Sequence, residues 1–538
     1  MMDIPLTIGE IMRHGTTVHR DAEVVTWTGD RPRRATFGDI GRRAAQLAGG
    51  LRELGVTADQ RVATFQWNNQ EHLAAYLAIP SMGAVLHTLN IRLSPDQVAW
   101  IANHAEDHVV IVDGSLVPLL ARALPECKTV RHVVVTGKAD TSPLAAAGAE
   151  VHSYDELLAG KPERFDWPDD LDERSAAAMC YTSGTTGNPK GVTYSHRSAY
   201  LHSMALLAGE AAGLTAADRC LPVVPMFHAN AWGIPYGAVM AGASLVMPDR
   251  FLQAQPLVEM VGRERVTVSG AVPSIWNDVL RHLREHGGDF SAMRVVLCGG
   301  SAVPRALMQA FEEEMGVKVL QAWGMTETSP VASIATPPVG AEGEEAWRYR
   351  TSAGRMIIGV QGRVVGDDDS VLPSDGDAVG EIEVRGPWVT ARYNSGADPD
   401  RFHDGWLRTG DVGTIDELGF ITISDRSKDV IKSGGEWISS VELENALMGH
   451  PTVLEAAVVG VPDTRWEERP LAAVVVAEGE SVSPDELRDF LAGSVPKWQL
   501  PDRWAFIPEV PKTSVGKFDK KVIRQRYADG ELDVYEQR

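Results

Sequence analysis

The chain has 538 residues, 44% hydrophobic, 23% charged and 7% aromatic, an ordinary globular composition that excludes a disordered, collagenous or repeat-only protein and predicts a large core. With 51 Lys and Arg against 73 Asp and Glu, the formal charge is −22, which repels phosphate backbones and argues against nucleic acid as a partner. Cys127, Cys180, Cys220 and Cys298 lie far apart without a C-x-x-C pair, so neither a zinc ribbon nor a disulfide scaffold is supported and a reducing, cytoplasmic setting is expected.

The N-terminus lacks the basic-then-apolar pattern of a signal peptide, and no apolar run approaches the ~20 residues that span a bilayer. Phe37 to Gly55 places Ile40, Ala44, Leu47 and Leu51 at helical spacing, with Gly55 positioned to end the helix. HVVIVD (108–113), HVVVTG (132–137), SLVMPD (244–249) and MRVVLCGG (293–300) read as short buried strands. Apolar runs alternating with amphipathic stretches predict α/β architecture rather than a bundle or a sandwich. From about Ile357 the texture turns to short β-rich pieces with turn signals, which predicts a small sheet or barrel-like subdomain. The charged stretch DRSKDVIK (425–432) marks a domain boundary with a hinge near Lys428. Strand, helix, strand, helix and a polar tail are expected after it.

The strongest local signal is YTSGTTGNPKGV, Tyr181 to Val192, directly after the apolar SAAAMC, which reads as a strand. Its glycines and hydroxyl residues leave many free N–H and O–H donors, the kind of nest that wraps phosphate oxygens, and Lys190 adds a point charge. It is not a Walker A loop, because Pro189 stands where that motif needs Gly, and no G-x-G-x-x-G fingerprint accompanies it. Further motifs follow in order: VPMFHANAWGIPY (224–236), QAWGMTETSP (321–330), WLRTGD (406–411), DRSKDVIKSGGEWIS (425–439) and PKTSVGK (511–517).

Together these motifs resemble the adenylate-forming superfamily of acyl-CoA synthetases, peptide-synthetase adenylation domains and luciferases, with the fatty-acyl-CoA synthetase branch the most similar. The resemblance spans nearly the whole chain. It implies an N-terminal adenylation domain over 1–425, made of two α/β layered lobes and a small β subdomain at about 357–425, carrying a mobile α+β C-terminal domain over 426–538. The implied activity is ATP-dependent activation of a carboxylic acid to an acyl-adenylate, then transfer to CoA. A medium- to long-chain aliphatic acid is expected. Alternatives are a free-standing adenylation enzyme passing a short, thioether or aryl acid to CoA or to a carrier protein, luciferase-like oxidation, and a non-catalytic ligand sensor.

Residue roles are carried over on the same footing. Thr182, Ser183, Gly184, Thr185, Thr186, Gly187 and Lys190 are implied on the ATP phosphates. Gly299, Gly300 and Ser301 are implied on adenine, where absent side chains let backbone lie against a flat base. Gln321, Ala322, Trp323, Gly324 and Met325 are implied along the nucleotide. Thr326 is assigned to the α-phosphate, and Glu327, with Thr186, to Mg²⁺, a hard cation that takes oxygen ligands. Asp411 and Arg426 are assigned to the ribose, since a carboxylate can accept from two vicinal hydroxyls. His228 is expected to border the substrate carboxylate without acting as a base, because such an acid is already ionised near neutrality. Trp232 is expected to gate the acyl tunnel beside Trp323; the family usually has Val where Ala229 stands. Lys517 is the implied adenylation lysine. Rotation about Lys428 would replace it with Lys432, Gly434, Gly435, Glu436 and Trp437 on the CoA side. Homodimerisation through the N-terminal region is a further expectation of the resemblance.

Overall fold

The computed structural model describes residues 1–182, 188–426, 428–433, 436–514 and 516–536, with Glu436 and Trp437 described by their backbone alone. The first expected helix spans Phe37–Glu53. Thr36 Oγ1 accepts from the Asp39 N–H and the Asp39 carboxylate accepts from the Thr36 N–H, a reciprocal cap that starts the helix. Ile40, Ala44, Leu47 and Leu51 fall on one face and are fully buried. Gly55 takes φ +83° just beyond the end, and the Val56 N–H returns to the Leu51 carbonyl at 3.0 Å.

That helix packs on Gln70–Ser81, in which every residue is buried. A helix covered on all sides sits between layers rather than on a surface. Its polar groups are correspondingly partnered: Glu71 makes a two-pronged ion pair with Arg33 at 2.6 and 2.9 Å, and His72 Nε2 lies 2.9 Å from Thr64 Oγ1. Tyr76 on this helix joins Tyr236 and Val239 of the helix Ile234–Ala241 in one core.

Among the described residues the strands form three sheets. The first runs Glu150–Ser153, His132–Thr136, Asp107–Asp113, Arg61–Phe65, Val85–Thr88, Ala176–Thr182, Lys190–Ser195, parallel throughout except for the last pair. The second contains the parallel series Arg219–Pro222, Val268–Ala271, Val295–Gly299, Lys318–Gly324. Val295–Gly299 is buried at all five positions, which is why it reads in sequence as a continuous apolar run.

The β-rich stretch departs from expectation. Its strands Gln361–Val365, Gly380–Arg385, Trp406–Ile415 and Phe420–Arg426 do not form a separate sheet or barrel but continue the second sheet. The junction is made by Val331–Ile334 and Gly354–Met356, which add antiparallel to the edge of Lys318–Gly324 and then pair with Phe420–Arg426. An edge strand presents unpaired N–H and C=O groups that accept such additions.

Every described strand from Ile431–Ser433 onward lies in the third sheet, with the helices Ser440–Leu447, Pro484–Ala492 and Lys520–Ala528. The region begins with a short hairpin, Ile431–Ser433 against Glu436–Ile438, where a single strand was expected. Asp425 and Asp429 of the charged stretch are buried rather than solvated: Asp425 Oδ2 accepts from the Ser440 N–H at 2.8 Å, and Arg524 pairs with Asp429 at 2.7 Å. No described helix is long and apolar enough to cross a membrane.

Candidate active site

Parallel strands deliver side chains and loops at their carboxyl ends, and two strands of the second sheet supply the floor of the site. Gly299 ends Val295–Gly299 opposite Ala322. A Cβ on Gly299 would stand 2.5 Å from the Ala322 carbonyl oxygen, so the two backbones approach as only glycine permits. Gly300 and Ser301 form the turn that follows, with Ser301 exposed. Gln321 braces this turn: its Oε1 accepts from the Val303 N–H at 2.6 Å and its Nε2 donates to the Ser352 carbonyl at 2.5 Å. Its amide is therefore engaged with protein.

At the end of Lys318–Gly324 the chain folds back on itself. The Met325 N–H donates to the Pro330 carbonyl at 3.1 Å, and a Cβ on Gly324 would collide with that same carbonyl. The turn Thr326–Thr328 inside this reversal buries both Thr326 and Glu327. Tyr194 donates its hydroxyl to the Thr326 carbonyl at 2.7 Å, and Tyr393 donates to Glu327 Oε1 at 2.6 Å. Burial and the Glu327 charge push the Tyr393 phenol up, so it remains a neutral donor. Among the described residues no cationic side chain pairs directly with Glu327, which leaves a buried carboxylate fit for a hard divalent cation.

Asp411 and Arg426 face each other across the antiparallel pair Trp406–Ile415 and Phe420–Arg426. Asp411 is buried; its Oδ1 lies 3.2 Å from Arg426 Nε and its Oδ2 accepts from Trp323 Nε1 at 2.8 Å. Trp323 thus positions an acid as well as presenting an aromatic face. Asp411 in turn raises the half-exposed Arg426 guanidinium further above its ordinary value.

Lys517 reaches this floor from the loop between the strand Arg503–Phe506 and the helix Lys520–Ala528. The loop before it is closed by the Thr513 N–H to the Lys517 carbonyl at 2.7 Å, and it is docked on the first lobe by Asn90 Nδ2 to Ser514 Oγ at 3.1 Å and Arg92 Nη1 to the Ser514 carbonyl at 3.2 Å. Lys517 Cε comes within 3.5 Å of where a Gly300 Cβ would stand. Burial, reinforced by the nearby Arg426, lowers its ammonium to about 8.

His228 is held neutral: burial, then the charges of Lys517 and Arg92, bring it down to about 3. The residues after it adopt a conformation invisible in the sequence. Ala229, Asn230, Ala231 and Trp232 all take φ between +43° and +57°. Left-handed backbone costs roughly 1–2 kcal/mol per non-glycine residue, and consecutive strained residues cluster at functional sites. The turn aims Trp232 inward, buried, where a methyl group on Gly270 or Gly299 would touch its indole at 3.6 and 3.5 Å.

Thr182 and Lys190 pair across the hairpin that carries the glycine-rich loop; Ser183, Gly184, Thr185, Thr186 and Gly187 lie outside the described residues. The Lys190 ammonium forms an ion pair with Asp398 and sits 5.2 Å from the Tyr393 ring centre. Lys428 is exposed on a turn closed by the Asp429 and Val430 N–H groups on the Arg426 carbonyl. Lys432 is exposed on the edge hairpin opposite Trp437 in register, its N–H donating to Glu468 at 3.0 Å. Gly434 and Gly435 lie outside the described residues. Tyr194, Tyr393, Asp398, Asn90 and Arg92 escaped the sequence reading, because none lies in a recognisable motif and each reaches the site only by tertiary approach.

The model of the AMP-binding enzyme family matches residues 12–394, and that of the AMP-binding enzyme C-terminal domain matches 442–517. A 3-methylmercaptopropionyl-CoA ligase of Ruegeria pomeroyi is 42% identical over 98% of both chains. A long-chain-fatty-acid–CoA ligase of Thermus thermophilus is 44% identical over 98% of this chain and 96% of its own. Among solved structures, an anthranilate CoA ligase in complex with anthranoyl-AMP superposes with a TM-score of 0.88 over 98% of this chain and 99% of that one, at 24% identity, a likeness of fold.

Proposed function

The chain belongs to the AMP-binding enzyme family, and from that premise we propose that it is an AMP-forming acyl-CoA ligase whose acid is a medium- to long-chain aliphatic carboxylate. In the first step a carboxylate oxygen bonds to the α-phosphorus of ATP while the bond to pyrophosphate breaks. In the second the CoA thiolate attacks the acyl carbon and AMP departs. The single observation that carries the reading is the approach of Lys517, on the loop before Lys520–Ala528, to Gly300 at the end of Val295–Gly299, with the Asp411–Arg426 pair nearby.

Attacker, α-phosphate and leaving group are all anionic, so the site must supply positive charge and fixed donors. Lys517 delivers an ammonium between carboxylate and α-phosphate, and Thr326 donates to the latter. Asp411, fixed by Trp323, receives the ribose hydroxyls with Arg426 at the same edge. The Gly299–Gly300–Ser301 turn leaves room for adenine, and the loop from Thr182 to Lys190 binds the outer phosphates once Lys190 releases Asp398. Glu327, with Thr186 as a further ligand, would hold a Mg²⁺ ion, which would supply positive charge to offset that of the phosphates. The neutral His228 donates a ring N–H to the substrate carboxylate but does not serve as a base. Trp232 walls the acyl channel.

For the second step the C-terminal unit turns about Lys428. Lys517 leaves, and the hairpin bearing Lys432, Gly434, Gly435, Glu436 and Trp437 brings CoA to the adenylate. The N-terminal unit, 1–425, is expected to self-associate as a homodimer, which sedimentation velocity tests.

A short thioether acid is the second reading, supported by the 42% identity to a ligase named for one. Pyrophosphate release over a panel of thioether, aryl and C4 to C18 acids, with and without CoA, decides between them. A maximum at medium or long chains with CoA-dependent AMP release supports the first; a maximum at the thioether acid replaces it.

A further inference from the structure

A cluster of metal-ligating atoms sits at the edge of the first sheet, away from the active site. His132 opens the strand His132–Thr136, and Glu150 and His152 lie on its parallel neighbour Glu150–Ser153, the last strand of the sheet. His132 stands opposite Glu150 in register, and His152, two residues on, returns to the same face. His132 Nδ1 lies 3.2 Å from His152 Nε2 and 3.4 Å from one Glu150 oxygen, and the other Glu150 oxygen is 3.7 Å from His152 Nε2.

The 3.2 and 3.4 Å spacings lie near those of a coordination shell, and the 3.7 Å one, to the other carboxylate oxygen, is longer. A tetrahedral ion at about 2.0–2.1 Å from N and O ligands holds those ligands about 3.3–3.4 Å apart along each edge. A proton shared between the two rings accounts for the approach of the nitrogens. The positive charge of that proton also draws the carboxylate, so a metal-free ion-paired cluster is the competing reading that the titration below separates. Glu150 is mostly exposed and the histidines are half-buried, so a fourth position opens to water.

We propose that His132, Glu150 and His152 form a binding site for a borderline divalent transition-metal ion, with Zn²⁺ the best match to two imidazoles and one carboxylate. The donor set selects against Mg²⁺, which takes oxygen ligands in octahedral geometry. Five strand steps of ~4.8 Å separate this edge from the strand Ala176–Thr182, so the ion takes no part in the ligase chemistry. His132 and Glu150 also open their strands, whereas the active site gathers at carboxyl ends. The bound ion would pin Glu150–Ser153, which has a neighbour on one side only, to the body of the sheet.

The test is isothermal titration of the tag-free full-length protein with Zn²⁺ in excess Mg²⁺, without nucleotide. One Zn²⁺ at micromolar affinity is expected. Loss of it is expected in the His132→Ala/His152→Ala double variant, together with weakening by about 10-fold or more in Glu150→Gln, all with pyrophosphate release unchanged. The half-buried His282 and the exposed His286, one helical turn apart, are a competing site. Their double alanine variant should keep the Zn²⁺. Zn²⁺ should also slow amide exchange over 150–153 in the wild type and not in Glu150→Gln. No binding at micromolar Zn²⁺, loss in the His282/His286 variant instead, or full affinity in Glu150→Gln would each overturn the proposal. If the double variant does not fold, the exposed Glu150→Gln carries the decision.

Discussion

Lys517 offers the sharpest perturbation, because the proposed chemistry requires its charge and its surroundings weaken that charge. Burial and Arg426 bring its ammonium down to about 8. A lysine is charged below its pKa, so the effect falls on the alkaline side: about nine-tenths of the free enzyme carries the charge at pH 7 and about one-tenth at pH 9. If only the charged form stabilises the approach of carboxylate to phosphate, kcat/KM for adenylate formation should drop about 10-fold between those pH values. Lys517→Ala should lower that half-reaction by ~10²-fold or more and abolish the limb. Lys517→Arg, charged throughout, should flatten the limb while keeping part of the rate. The assay is pyrophosphate release at limiting ATP and acid without CoA, since a free thiol titrates at about 8.5 and would blur the limb. Chemically made acyl-AMP plus CoA, at fixed pH, should still give thioester in Lys517→Ala. An alkaline limb that persists in Lys517→Ala, or equal loss of both half-reactions, would refute the charge-delivery role and the rotation about Lys428 with it.

Glu327→Gln keeps the shape and the Tyr393 hydrogen bond but removes the charge, so turnover should collapse at limiting Mg²⁺ and recover partly at high Mg²⁺; wild-type rates at limiting Mg²⁺ would remove Glu327 from the metal site. Trp232→Ala should shift chain-length preference more than it changes adenylation of a short acid, because the indole lies against Gly270 and Gly299 rather than on the phosphate machinery; equal loss across a C4 to C16 series would make the residue structural. Gly299→Ala forces a methyl group within 2.5 Å of the Ala322 carbonyl, and overpacking of that kind costs about 1–3 kcal/mol. A lower Tm and a raised KM for ATP are expected, and an unchanged value of both would show that the strands part without consequence.

What the sequence alone determined is what local chemistry dictates. The apolar runs at 108–113, 132–137, 244–249 and 293–300 all became strands because full burial needs an unbroken hydrophobic stretch, and Phe37–Glu53 became a helix because its period and its Thr36 cap agree. The motif order likewise identified the family, since each motif is one contiguous run that reads without tertiary information. What only the tertiary structure decided is how distant segments meet. No local pattern says that the β-rich stretch after Ile357 extends the second sheet, because strand pairing is chosen by whichever edge is free. None says that Asp398 pairs with Lys190, that Tyr393 donates to Glu327, or that Asn90 and Arg92 dock the Lys517 loop. The left-handed turn at Ala229–Trp232 was least legible of all. Those residues resist that backbone on their own, and they hold it because the core packed around Trp232 outweighs the local strain.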